Sequence, residues 1–187
     1  MSASTSAPTS ASTHIAPQAA PEIWFWLFPL TYLVHVAEEY GGGFYLWIAH
    51  LTGGTMTAKQ FLSLNLIFGI AMLGALALAF WSQAGAWLAG TFGAIVLING
   101  SAHLLGSILT RTYSPGVLSG FFLWLPLGIF ALRRAWQRVP RRKFWLSVLV
   151  GVLLHGLVFI SALSQVRRET GALVPPAALS LVQGRRQ

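Results

Sequence analysis

His35, Glu38 and Glu39 stand together at the end of an apolar run, in a 187-residue chain with only four acidic residues. At 3.6 residues per turn, a helix places all three within an arc of about 100°. One face then presents an imidazole and two carboxylates. Such a set can ligate a divalent metal, Zn or Fe, with one glutamate acting as general base. It can also relay protons. In a bilayer an ionised carboxylate costs at least about 2.5 kcal/mol, and two neighbours repel. At least one must therefore be protonated, paired or coordinated.

Few residues can serve as partners. "NGSAH" places Asn99 and His103 four apart on one helical face. His35 lies roughly 18 Å along a helix that starts at Ile23, and His103, about 17 residues into a parallel run, reaches a depth similar to that of Glu38 and Glu39. "TRTYSPG" reads as a tight turn able to bring Arg111 or Tyr113 over the site. The expected metal ligands are His35, Glu38, Glu39 and His103. Glu38, Glu39 and Tyr113 are the candidate catalytic groups. Asn99, His155 and Arg111 are expected around them. The order departs from the His-Glu-x-x-His of zinc peptidases, so no peptidase is inferred. The plainer reading of the four ligands is a polar network that locks helix packing. For His155 it is a bond to a neighbouring carbonyl, and for Tyr113 an interfacial anchor. His14 and His50 read as ordinary solvent or interfacial residues.

The elements that must hold these residues follow from composition. The chain is 55% hydrophobic and 9% charged, with mean hydropathy +0.66. Soluble domains carry about 25% charged residues. The fold class expected is an all-α polytopic membrane bundle, with about five transmembrane helices and a short interfacial segment. The five apolar runs are roughly 23–40, 60–81, 86–109, 116–132 and 144–164, near the roughly 17–25 residues a span needs. "FYLWIAH", between glycine clusters, is too short to cross and is read as interfacial. Pro126 is expected to kink the fourth run. Gly116 and Gly120 have the spacing that permits close helix contact. Most tryptophans fall near run ends, as interfacial belts do, and Trp124 is the exception.

Residues 1–21 are expected to be a disordered tail, 22–166 a single membrane domain and 167–187 a second tail. With no cysteine, disulfides and thiolate metal sites are excluded. The net charge of +8 does not imply nucleic acid, because basic residues cluster beside the spans, where they set topology. Arg133, Arg134, Arg138, Arg141, Arg142 and Lys143 share one connection. Lys59, Arg111, Arg167 and Arg168 lie near spans on the other face, so the first group and the N-terminus are expected in the cytoplasm. The location expected is the plasma membrane of a prokaryote.

His35-Val36-Ala37-Glu38-Glu39 resembles the motif that names the HXXEE family of integral membrane proteins. That family also features a second histidine and a Tyr-x-Pro-Gly motif. His103 and Tyr113-Ser114-Pro115-Gly116 fit both, in the same order. The resemblance covers roughly Trp24 to Leu132. It supports the site residues and implies no reaction, since the family's biochemical function is unassigned. Three function classes remain: a metal-dependent enzyme acting on a lipid or other apolar small molecule, a proton- or ion-coupled transporter, and a structural membrane subunit with a buried polar network.

Overall fold

The structure is a computed structural model that describes residues 23–82 and 84–172, with side chains through residue 166. The two expected tails, at 1–21 and 167–187, lie outside these residues or at their edge, as do His14 and the arginines beyond Val166. The described residues form helices and no strands.

A 3-10 turn, Ile23–Trp26, leads into α1, Leu27–Gly41. Pro29 explains this start. Near a helix N-terminus its missing N–H leaves no bond unmade. The run is thus one α-helix of 15 residues plus a turn, and the two rods together extend about 30 Å. α2, Phe44–Thr52, is the short segment read as interfacial, bounded by Gly43 and Gly53 in left-handed conformation. α3, Ala58–Trp81, opens with a capping box between Thr57 and Gln60. α4 is Gly85–Thr110. α5, Val117–Ser119, continues through a π turn, Gly120–Trp124, into α6, Leu125–Arg138. α7, Arg141–Ala172, completes the bundle. Four of these rods are long and apolar enough to cross a membrane: Ala58–Trp81, Gly85–Thr110, Val117–Arg138 and Arg141–Val166. α1 is shorter and reaches the thickness of a hydrocarbon core only with its 3-10 turn.

α4 is the centre, packed chiefly on α6 and α7. Phe25, Phe28, Leu76, Phe92, Trp124 and Ala131 belong to the main buried cluster. Lipid-facing positions such as Ile67, Leu153 and Ile160 are exposed and apolar, which suits a bilayer rather than water.

The effect expected of Pro126 takes the form of the π turn. Pro126 cannot donate, and Leu125 N–H bonds Gly120 C=O five residues back. The wide turn brings Gly120 against Gly100, where a Cβ on Gly100 would stand 2.8 Å from the Gly120 carbonyl oxygen. Of the two glycines read as a contact pair, Gly120 makes the close helix approach. Gly116 has a different neighbour.

Candidate metal centre

α1 and α4 run in the same direction, with Phe28 beside Phe92 and His35 beside His103. His35 and Glu39 are one turn apart on the inner face of α1, and His103 approaches from α4. All three are buried, at 1%, 6% and 6% exposure. Glu39 Oε1 lies 3.5 Å from His35 Nε2 and 3.2 Å from His103 Nε2. One ligand atom from each residue falls within 4.8 Å of the others. Ligands about 2.0–2.1 Å from a tetrahedral zinc stand roughly 3.3 Å apart, so the pair distances suit one shared ion.

The other imidazole nitrogens are held from outside. His35 Nδ1 lies 2.7 Å from Ser119 Oγ, and His103 Nδ1 lies 3.1 Å from Ser114 Oγ. The Ser119 hydroxyl donates to the Gly116 carbonyl at 3.4 Å, leaving its oxygen to accept from His35 Nδ1–H. That arrangement turns the Nε2 lone pair of His35 toward Glu39. His35 Nε2 has no hydrogen-bond partner although it is buried. Two imidazole nitrogens meeting one carboxylate oxygen are satisfied by a proton or a metal ion between them.

Rings fix the orientation. Trp124 stacks on His35 with centroids 3.7 Å apart, and His35 meets His103 edge to face at 4.9 Å. Phe44 of α2 lies 5.3 Å from the His103 ring. Gly116, at φ +99°, fills the remaining side. A Cβ there would lie 2.8 Å from His103 Cε1 and 2.9 Å from His35 Cε1. Only glycine suits both the backbone and the space.

Glu38 points elsewhere. Its Oε1 accepts from the Tyr113 hydroxyl at 2.6 Å, Gly116 N–H at 3.1 Å and Leu118 N–H at 2.9 Å, and its Oε2 accepts from Ser119 N–H at 2.6 Å. The three N–H groups are unpaired donors at the N-cap and first turn of the Val117–Arg138 rod, and a carboxylate is their natural acceptor. Of the four ligands expected, the structure brings together His35, Glu39 and His103. It sets Glu38 outside them as the anchor of a helix start.

The remaining candidates are spread out. Tyr113 is exposed and hydrogen-bonded to Glu38. Partial desolvation and that carboxylate push its phenol up to about 12. Arg111 is exposed and closes α4 at φ 54°. Asn99 is one turn before His103, and its buried amide oxygen has no partner. His155 is half-buried on α7, outside the three-residue cluster.

A family profile described as "Protein of unknown function with HXXEE motif" matches residues 26–131, more than half of the chain. The chain belongs to the HXXEE-motif family. The matched stretch contains α1, His103, the Tyr-Ser-Pro-Gly turn and Trp124, and it stops before α7. Comparison with curated proteins and with solved structures finds no match.

Sequence reasoning missed four residues of this HXXEE site. Ser114 was visible only as the variable position of Tyr-x-Pro-Gly, and Trp124 as the tryptophan away from a run end. Ser119 and Phe44 carry no signal of their own, because their roles arise from tertiary packing.

Proposed function

We propose that this HXXEE protein is a metal-dependent membrane enzyme, with Zn or Fe(II) held by His35 Nε2, His103 Nε2 and one oxygen of Glu39. The observation that carries the reading is the convergence of both Nε2 atoms on one Glu39 oxygen while hydroxyls hold both Nδ1 atoms. Ligating histidines are oriented in this way. Two histidines and one carboxylate suit either ion and leave coordination positions open, through which a bound metal would act as Lewis acid or activate water or oxygen. The chain's part is to fix the ligands, exclude water with Trp124 and Phe44, and hold Glu39 between the two imidazoles. A site walled by rings and reached through a bilayer favours a lipid or another apolar small molecule as substrate. Glu38 is a positioning residue in this reading, since its carboxylate is already engaged by four donors.

A second reading has its own observation. The 3.2 Å between His103 Nε2 and Glu39 is also a hydrogen-bond length, so a shared proton satisfies the same groups. That alternative is a proton relay or a packing network. Elemental analysis decides between them. Wild-type protein prepared with metal present should hold one ion per chain, and Glu39→Gln should hold none. A metal-free wild type would leave the proton network as the reading.

A further inference from the structure

At the far end of the Val117–Arg138 rod, six basic residues fall within eleven positions: Arg133, Arg134, Arg138, Arg141, Arg142 and Lys143. The chain has four acidic residues, and two of them, Glu38 and Glu39, are held near the opposite end, about 30 Å away along the rod. Even if both others, Glu22 and Glu169, approached this end, four of the six charges would remain unbalanced by acid, since six less two is four. This end of the rod is therefore strongly basic.

The surface beside these charges has a definite form. Pro126, Ile129, Phe130, Arg133, Arg134 and Gln137 line a groove of about 460 Å³. Their spacing of three and one places them on a single face of α6. The inner half of that face is apolar, and the outer half is basic and polar. Arg133 and Gln137 also border a second groove of about 390 Å³, whose walls include Leu132, Trp136 and Phe144. The Arg141 guanidinium lies 3.5 Å above the Trp136 ring and stiffens this rim. Ile129 and Phe130 are exposed on a rod long and apolar enough to cross a membrane, with Trp24 meeting the Phe130 ring edge to face at 5.0 Å.

A free anion would meet the basic half and leave the apolar half uncovered. A lipid covers both. We propose that this face binds an anionic glycerophospholipid, with its phosphate at Arg133 and an acyl chain along Phe130, Ile129 and Pro126. The site is separate from the histidine cluster and does not depend on it.

The test uses the purified full-length protein in neutral detergent, titrated with phosphatidylglycerol or phosphatidylcholine, with bound lipid counted by native mass spectrometry. Wild type should prefer phosphatidylglycerol. Arg133→Gln should weaken that lipid about fivefold and leave phosphatidylcholine unchanged. Phe130→Ala alters no charge and should weaken both lipids. Excess inorganic phosphate should not displace phosphatidylglycerol. Equal binding of the two lipids by wild type would overturn the proposal, as would an Arg133→Gln protein that binds like wild type. Displacement by inorganic phosphate would overturn it too, by reducing the site to a simple anion patch. If Arg133→Gln fails to insert, Phe130→Ala decides the matter, and unchanged binding of both lipids there refutes the acyl-chain contact.

Discussion

On the inner side of α1, Glu39 meets two imidazole nitrogens whose other ring atoms are tied to serines. About 100° further round the same helix, Glu38 meets a tyrosine hydroxyl and three backbone N–H groups. The first environment lacks a fixed positive partner, and the second is filled with donors. Two adjacent glutamates thus face different physical problems. Glu39 has lone pairs to share with an ion, and Glu38 has a helix start to hold. The difference teaches that residue type and depth do not assign a role in a membrane. The partners brought by the next helix do.

The widest gap between the two sides should open in metal content. Chelator should lower the melting temperature of the wild type, whereas His103→Ala should lose bound metal outright and no longer respond to chelator. Glu38→Gln should keep its metal. A Glu38→Gln protein as metal-free as His103→Ala would erase the contrast.

Stability should divide in the reverse sense. Glu38→Ala leaves three backbone donors without their charged acceptor, at about 2–4 kcal/mol, and should lower the melting temperature by several degrees. Metal-free Glu39→Gln should lose less than metal-free Glu38→Ala. Equal losses in thermal denaturation would show that the two carboxylates share one structural task.

Ser119 belongs to both sides, donating its N–H to Glu38 and offering its hydroxyl oxygen to His35. Ser119→Ala removes only the hydroxyl, so it should weaken metal by about 10–100-fold and leave the helix anchor intact. A competition titration against a chelating dye measures the first effect, and circular dichroism melting without metal measures the second.

The smallest effect belongs to Tyr113. Its phenol, raised to about 12, favours folding in its protonated form. That contribution is present below the unfolded value near 10 and fades as pH rises through about 12. Tyr113→Phe should hold wild-type metal and lose a tyrosine that ionises late in ultraviolet titration. If Tyr113→Phe leaves the number of late-ionising tyrosines unchanged from wild type, the Tyr113–Glu38 bond is absent in solution.

Much of the fold was legible because lipid demands long apolar helices, and the apolar runs mark them. The cluster was legible in part, because buried ionisable groups are scarce and His35, Glu39 and His103 had few alternatives. Glu38 was harder to read. Helical spacing cannot say which of two adjacent carboxylates turns inward, and the answer rests on where α5 begins. The π turn was hidden for a related reason. Pro126 announces a disturbance, but whether a helix bends, breaks or widens there depends on Gly100 receiving Gly120. The bounds of the first run were legible, but the winding of its first four residues was not, because apolar composition does not separate a 3-10 turn from an α-helix.

The π turn also sets a rule for length variation among chains of this kind. Five residues, Gly120–Trp124, occupy a loop of helix that accommodates one more residue than ordinary winding would. Removing one of them would restore an unbroken α-helix and cost little as secondary structure. Because the wide turn holds its extra residue within a single turn, everything before the deletion would keep nearly its rotation against everything after it. A single-codon deletion there should therefore be tolerated better than one elsewhere in the rod, which would turn the two parts about 100° against each other and swing Ser119 and Gly116 away from the imidazoles. Substitution of Gly120 or Trp124 should be worse than that deletion's phase effect, because Gly120 lies against Gly100 and Trp124 stacks on His35.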